Sequence, residues 1–253
     1  MPNQSQTDSS RQSLTMRRFP VPNSPTRNRI LQRIPPQDRA RLLVGLQQVT
    51  FALGDAVCEA GGHMEYIYFP TTSVISTLYT TEDGATAEMG LVGIEGVVGV
   101  HLFLGGDTTS HRAVVVVGGE AFRMKAKTLR DEFALGGPLQ GQLLRYTQAL
   151  LTQISQTAVC NRLHVVEQRL CRWLLMCHDR VQTNELRMTQ EFISNMLGGR
   201  RETVTVAAGR LQDAGLIRYA RGHITILDRK GLEASVCECY PVVQAECDRL
   251  SPT

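Results

Sequence analysis

The spacing of apolar residues changes period along the 253-residue chain, and each change marks a different kind of element. From Thr26 to Gln48, Ile30, Leu31, Ile34, Leu42, Leu43 and Leu46 predict short helices interrupted at Pro35-Pro36. The segments VTFALGDAVCEAGG (49–62), MEYIYFP (64–70), SVISTLYTTEDGATAEMGLVG (73–93) and HRAVVVVGGEAFRM (111–124) then mix β-branched residues with Gly or Asp-Gly turns. Turns recurring about every eight to twelve residues predict an antiparallel sandwich or barrel. From about Pro138 to Asn161 the period is helical. Leu139, Leu143, Tyr146, Leu150, Ile154, Thr157 and Asn161 follow one another in steps of three and four, a coiled-coil-like seam. Leu144, Leu151 and Ala158 form a second stripe beside it. A helix with two apolar stripes wants two partners. The expectation is that the first stripe, with Leu139, Leu143, Tyr146, Leu150 and Ile154, meets a second copy of the chain, and that the second stripe packs on the chain's own barrel. The competing reading is a helix buried within one domain.

The stretch Thr189–Ile217, TQEFISNMLGGRRETVTVAAGRLQDAGLI, predicts two short helices around a glycine corner. Phe192, Ile193, Met196 and Leu197 make one apolar face, and Thr189 is a natural N-cap with Glu191 in the first turn. Gly198-Gly199 breaks the pattern. In the second helix Val204, Ala208 and Leu211 fall within roughly 60° of one another on the helical wheel and face inward. Arg201, Glu202, Thr205, Val206, Gly209 and Asp213 are thereby turned outward, and Gly215 ends the helix. Leu216–Tyr219 and His223–Leu227 follow as a hairpin with Arg221 at its tip, placed to meet a phosphate. Helix, turn, helix and hairpin make a winged helix-turn-helix; the plainer alternative is an ordinary helical hairpin.

RRETVTVAAGRLQDAGLI resembles the recognition helix and wing entry of the cyclic-AMP receptor protein/fumarate-nitrate regulator (Crp/Fnr) family of transcription regulators. The likeness continues upstream through VVEQRLCRWLLMCHDRV and, more loosely, over roughly residues 28–232. It implies an α+β chain with a β jelly-roll sensor domain of the cyclic-nucleotide-binding type (26–137), a dimerisation helix and hinge (138–165) and a winged helix-turn-helix (166–232). A disordered N-terminal tail (1–25) and a C-terminal tail (233–253) flank these. By the same resemblance Arg201 reads a guanine and Glu202 a cytosine amino group, with Thr205 and Val206 as further base contacts. Arg200, Thr203 and Arg221 are assigned to phosphates. Relatives often carry an arginine where Val206 stands. An exposed valine there is either tolerated or meets a thymine methyl group. The implied partners are double-stranded DNA with an inverted-repeat site, a second copy of the chain and RNA polymerase.

In family members that bind cyclic nucleotides, a Gly-Glu pair holds the ribose and an Arg-Ser/Thr-Ala run grips the phosphate. Here Gly99 is followed by Val100, and the triad position reads His111-Arg112-Ala113. Valine cannot accept the ribose hydroxyls, which counts against cyclic AMP or GMP as effector. Arg112 with the Gly105-Gly106 turn remains a candidate for another anion, although a surface arginine on a sheet is the commoner explanation.

The net charge of +3 is small, but it is unevenly distributed. Residues 30–160 carry nine Lys/Arg against twelve Asp/Glu, and 166–230 carry eleven against seven. The basic excess sits where phosphate attraction needs it. No membrane span or signal sequence is apparent, so a cytoplasmic protein is expected. The seven cysteines are scattered. Family members with an iron–sulfur sensor carry a cysteine cluster near the N-terminus, whereas here the first cysteine is Cys58. Cys237-Glu238-Cys239 with Cys247 has poor spacing for zinc and no nearby histidine, so no metal or cofactor is expected and the thiols read as buried or idle. His63 and His101 read as structural rather than as haem ligands. Nucleophile-elbow, P-loop and HExxH patterns are missing, which argues against an enzyme. The alternative to a regulator is a sensor or scaffold that binds a small anion without specific DNA binding.

Overall fold

The computed structural model describes residues 23–181 and 183–250. The tail expected over residues 1–25 lies outside the described residues up to position 22; beyond it, Ser24 caps a single turn at Pro25–Arg27. Two short helices follow, α1 (Arg29–Gln32) and α2 (Pro36–Val44). Asn28 anchors the first of them. Its side-chain oxygen accepts from the Ile30 and Leu31 amides, while its Nδ2 donates to the Pro70 and Gly96 carbonyls at 3.0 and 2.8 Å.

Seven strands come next: β1 (Gln47–Phe51), β2 (Ala56–Cys58), β3 (Tyr66–Pro70), β4 (Val74–Thr80), β5 (Thr86–Val92), β6 (Arg112–Val117) and β7 (Gly119–Lys125). They form two antiparallel sheets, ordered β1-β7-β3 and β2-β6-β4-β5. Ile67, Phe69, Ile75, Val115 and Met124 fill the space between them. The unbroken apolar run of β6 has a reason. Ala113 and Val115 point into the β-roll, while Val114 and Val116 point out of it into a second core, so both faces of the strand are buried.

After α3 (Ala126–Ala134), the 26-residue helix α4 (Pro138–Leu163) runs along the roll. The expected assignment of its two stripes is reversed. Leu139, Leu143, Tyr146 and Leu150 are buried in the roll's own core, with Ile154 packed against it. Leu144 and Leu151 are instead 47 % and 55 % exposed, and Ala158 and Val159 are exposed beside them. The first stripe is the better match to the roll because it carries the larger residues. Tyr146 fills a gap in which a Cβ on Gly96 would lie within 2.4 Å of the ring and hydroxyl atoms. Gln153 closes the contact by accepting from the Leu91 amide and donating to the Leu91 carbonyl, at 2.8 and 3.0 Å.

His164 and Val165 are extended and join α4 to α5 (Val166–His178). The C-terminal unit continues with β8 (Glu185–Arg187), α6 (Gln190–Leu197), α7 (Arg201–Asp213), β9 (Ile217–Ala220) and β10 (His223–Ile226), the strands ordered β8-β10-β9. This unit does not hang free. Trp173, Leu170 and Leu174 of α5 share one core with Val74, Leu78, Leu91, Val114 and Val116 of the larger sheet. Polar groups secure the same contact. Glu88 is buried and accepts from Trp173 Nε1 at 2.9 Å and Ser76 Oγ at 2.7 Å. Arg180 pairs with Glu95 at 2.8 Å.

The C-terminal tail expected from 233 onward is corrected. Helix α8 spans Arg229–Ser235 and α9 spans Cys239–Leu250, packed along α4. Cys239, Tyr240 and Val243 form its inward face, and the Tyr240 hydroxyl donates to Asp179 at 3.0 Å. Among the described residues no helix is long and apolar enough to cross a membrane.

Candidate nucleic-acid interface

Each feature that builds the helix-turn-helix is traceable to a particular residue. Thr189 Oγ1 accepts from the Phe192 amide at 3.1 Å and caps α6. Gly198 turns the chain at φ +58°, in the left-handed region where a side chain is strained. On α7, Val204, Ala207, Ala208 and Leu211 are buried. Ala207 joins the three inward positions read from the wheel. Arg201, Glu202, Thr203, Thr205 and Val206 are all exposed, as is Arg200 just before the helix. Val206 is 54 % exposed. The Thr205 hydroxyl lies 2.9 Å from both the Arg201 carbonyl and Gln190 Oε1, so its single proton is engaged within the protein. Towards a base, Thr205 therefore has only acceptor capacity.

The wing tip is a two-residue turn. His223 pairs with Ala220 across the ladder, leaving Arg221 and Gly222 at φ +51° and +78°. Two successive positive φ values identify the type I′ hairpin, whose twist suits antiparallel strands. Arg221 is the one non-glycine with positive φ among the described residues. A cleft lined by Thr189, Gln190, Arg201, Tyr219, Arg221 and Gly222 joins the start of α6, the start of α7 and the wing. It brings together Arg201 and Arg221, which lie twenty positions apart in sequence. Burial pushes the Tyr219 phenol up, so it stays protonated as a donor, here to the Met188 carbonyl at 3.3 Å.

Sequence reasoning missed two further cations. Arg187 stands opposite His223 and Arg218 opposite Thr225, both exposed on the outer face of the wing sheet. The alternation with buried Leu186, Ile217, Ile224 and Ile226 carries that signal. Among the described residues, none of Arg187, Arg200, Arg201, Arg218 and Arg221 is in an ion pair. This surface has unspent positive charge.

The face is also tied to the β-roll. Thr86 Oγ1 on β5 donates to the Asn195 carbonyl of α6 at 3.2 Å, and the Arg169 guanidinium of α5 donates to the Leu197 carbonyl. Displacement of β5 or α5 would therefore be felt at the corner that aims α7.

In the roll, Gly99 has φ +112° and opens a single turn at Val100–Leu102. A Cβ on Gly99 would sit 3.2 Å from Leu102 and 3.3 Å from Met64, so this stretch is packed against apolar atoms. Val100 is half-buried against the core. Arg112 begins β6 and is held by Glu59 at 2.9 Å. Among the described residues the buried ring nitrogens of His101 have no hydrogen-bond partner, and burial lowers its pKa, favouring the neutral imidazole.

The cysteine reading is corrected in one respect. A histidine does lie near the Cys237/Cys239 pair: His164 Nδ1 is 3.6 Å from Cys239 Sγ. Cys160, not Cys247, completes the group, with its sulfur 3.6 Å from that of Cys237.

Residues 168–235 match the Crp-like helix-turn-helix domain. No curated protein sequence matches the chain. Solved structures do. FixK2 from Bradyrhizobium japonicum superposes with a TM-score of 0.65 at 16% identity, covering 76% of this chain and 98% of its own. A CRP-family transcriptional regulator of Thermus thermophilus gives 0.62 at 16% identity, covering 74% and 95%. The c-di-GMP-responsive global regulator CLP of Xanthomonas campestris gives 0.60 at 17% identity, covering 76% and 99%. The chain thus carries a Crp-like helix-turn-helix domain at residues 168–235 within the fold of the Crp/Fnr family of DNA-binding transcription regulators.

Proposed function

We propose that the protein is a homodimeric, sequence-specific transcription regulator of the cytoplasm, with α7 of each protomer in the DNA major groove and the wing on the adjacent backbone. The observation that carries this reading is the meeting of exposed Arg201 and Arg221 at one cleft, with neither in an ion pair among the described residues. A guanidinium at the start of α7 can give two parallel hydrogen bonds to a guanine edge, and one at the wing tip can meet a phosphate. Glu202, one residue on, suits a cytosine amino group. The exposed stripe of Leu144, Leu151 and Ala158 supports the dimer. A twofold axis along α4 would separate the half-sites by about one DNA turn, roughly 34–36 Å.

The β-roll would supply the signal, and the Val100 side chain, which offers no acceptor for a ribose, counts against cyclic AMP or GMP as its effector. The output would be contact with RNA polymerase rather than catalysis. Gel shifts on genomic fragments, followed by footprinting, test the reading. A protected inverted repeat is expected; retardation of all fragments alike would favour a sensor or scaffold without specific DNA binding.

A further inference from the structure

The end of α4 and the loop before α9 bring four metal-binding side chains to one point. Cys160 lies on the last turn of α4, and His164 follows it by four residues, so both face the same side. Cys237 and Cys239 approach from the α8–α9 connection, more than seventy residues later in the chain. The three sulfurs and the imidazole nitrogen all lie within 4.8 Å of one another. Cys160, Cys237 and Cys239 are buried.

Two of the six separations match the edges of a coordination shell. With Zn–S of about 2.3 Å and Zn–N of about 2.0–2.1 Å, a tetrahedron has S–S edges of about 3.8 Å and S–N edges of about 3.6 Å. The Cys160–Cys237 and Cys239–His164 separations are both 3.6 Å. Two further observations point to an ion. His164 Nε2 lies 3.2 Å from a Glu238 carboxylate oxygen, which leaves Nδ1 turned to the sulfurs, the carboxylate–histidine–metal arrangement. Arg172 is only 5 % exposed and donates one hydrogen bond, to Thr157 Oγ1. Among the described residues its Nε and Nη1 have no hydrogen-bond partner and it forms no ion pair, although its charge is felt at the buried Glu88 carboxyl. Three thiolates around a divalent ion carry one net negative charge, and Arg172 would balance it.

We propose that Cys160, His164, Cys237 and Cys239 bind one zinc ion, which pins the start of α9 to the end of α4 at the hinge into α5. Four protein ligands leave no open position, so the site is structural, not catalytic. Thiolate sulfur and imidazole nitrogen suit zinc and exclude magnesium and calcium, which prefer oxygen. On binding, the three thiols release three protons to solvent while three Zn–S bonds and one Zn–N bond form. The ion would hold the hinge and the C-terminal helix as one piece. This goes beyond the DNA-binding reading and does not depend on it.

The test is metal analysis of the full chain purified under reducing conditions without chelator. One zinc per chain is expected, retained in Cys247→Ser and lost in Cys237→Ser and His164→Ala. Because those two variants could misfold, the metal-free reduced wild type is also titrated with Co2+. It should take up one equivalent, with the intense visible bands of a tetrahedral site and a thiolate charge-transfer band, both abolished by added Zn2+. A protein isolated without zinc that gives no such Co2+ spectrum would overturn the proposal. So would a Co2+ spectrum unchanged in a folded Cys237→Ser variant.

Discussion

If two protomers meet along the exposed face of α4, Leu151→Lys should split them. Leu151 is 55 % exposed and Leu144 47 %. Burying a whole leucine contributes roughly 1.5–3 kcal/mol, so the half that remains in water contributes about 1 kcal/mol. A twofold seam counts each residue twice, and the four leucines together contribute roughly 4 kcal/mol, or about three decades in the dimerisation constant. Leu151→Lys removes about 2 kcal/mol of this and sets two like-charged ammonium groups in the seam, whose desolvation costs more than that of a neutral polar group. The dimer should weaken at least about 100-fold. Sedimentation velocity over a concentration series measures it, with far-ultraviolet circular dichroism confirming the fold. The control is Leu143→Ala. Leu143 is fully buried in the roll, so its truncation should cost about 2–5 kcal/mol of folding stability and leave the folded protein dimeric. An unchanged dimer constant in Leu151→Lys would refute the assignment of the seam, and dissociation caused by a folded Leu143→Ala would point back to the opposite face.

Three further outcomes are expected. Arg221→Ala removes one phosphate contact per wing, so the slope of log K against log salt should fall by about 2 for the dimer; an unchanged slope would take Arg221 out of the interface. Val206→Arg should move base preference at the pair it faces towards guanine, since arginine supplies the two donors that valine lacks; identical preferences in binding-site selection would mean that Val206 does not face DNA. Burial raises the Glu88 carboxyl above its ordinary range against the opposing Trp173 and Ser76 hydrogen bonds, so the folded state holds this proton more tightly than the unfolded one. Its stability contribution is then greatest in acid and is lost as pH rises through the folded-state pKa, so Glu88→Gln should gain stability over the wild type with rising pH. Thermal melts across pH check this, and a constant difference between the two proteins would contradict it.

The helix-turn-helix was legible because its determinants are local. Thr189, Gly198 and the spacing of Val204, Ala208 and Leu211 fall within one short stretch, and each does in the fold what its spacing implies. The faces of α4 were not. Leu143 and Leu144 are adjacent in sequence and about 100° apart on the helix, and periodicity reveals two apolar stripes without saying which meets the roll. That choice is made by shape, through the gap at Gly96 that Tyr146 fills. The helix α9 was missed because its buried positions are few and its flanks polar. The Cys160–His164–Cys237–Cys239 cluster stayed hidden for a different reason. Its halves are separated by the whole winged domain, and sequence proximity drew attention to Cys247 instead. The wing arginines 187 and 218 could have been found from their alternation with buried neighbours, but β8 has only three residues in which to display it.

The most direct test of the account is selection of bound sites from a randomised DNA pool, run in parallel with the wild type and Arg201→Ala. The account predicts that the wild type enriches an inverted repeat with half-sites about one turn apart and one guanine held in each. Arg201→Ala should lose roughly 1–3 kcal/mol on that site and become indifferent at that one position. Failure of the wild type to enrich any motif, or an equal loss of affinity by the variant for every sequence, would contradict direct base reading by α7.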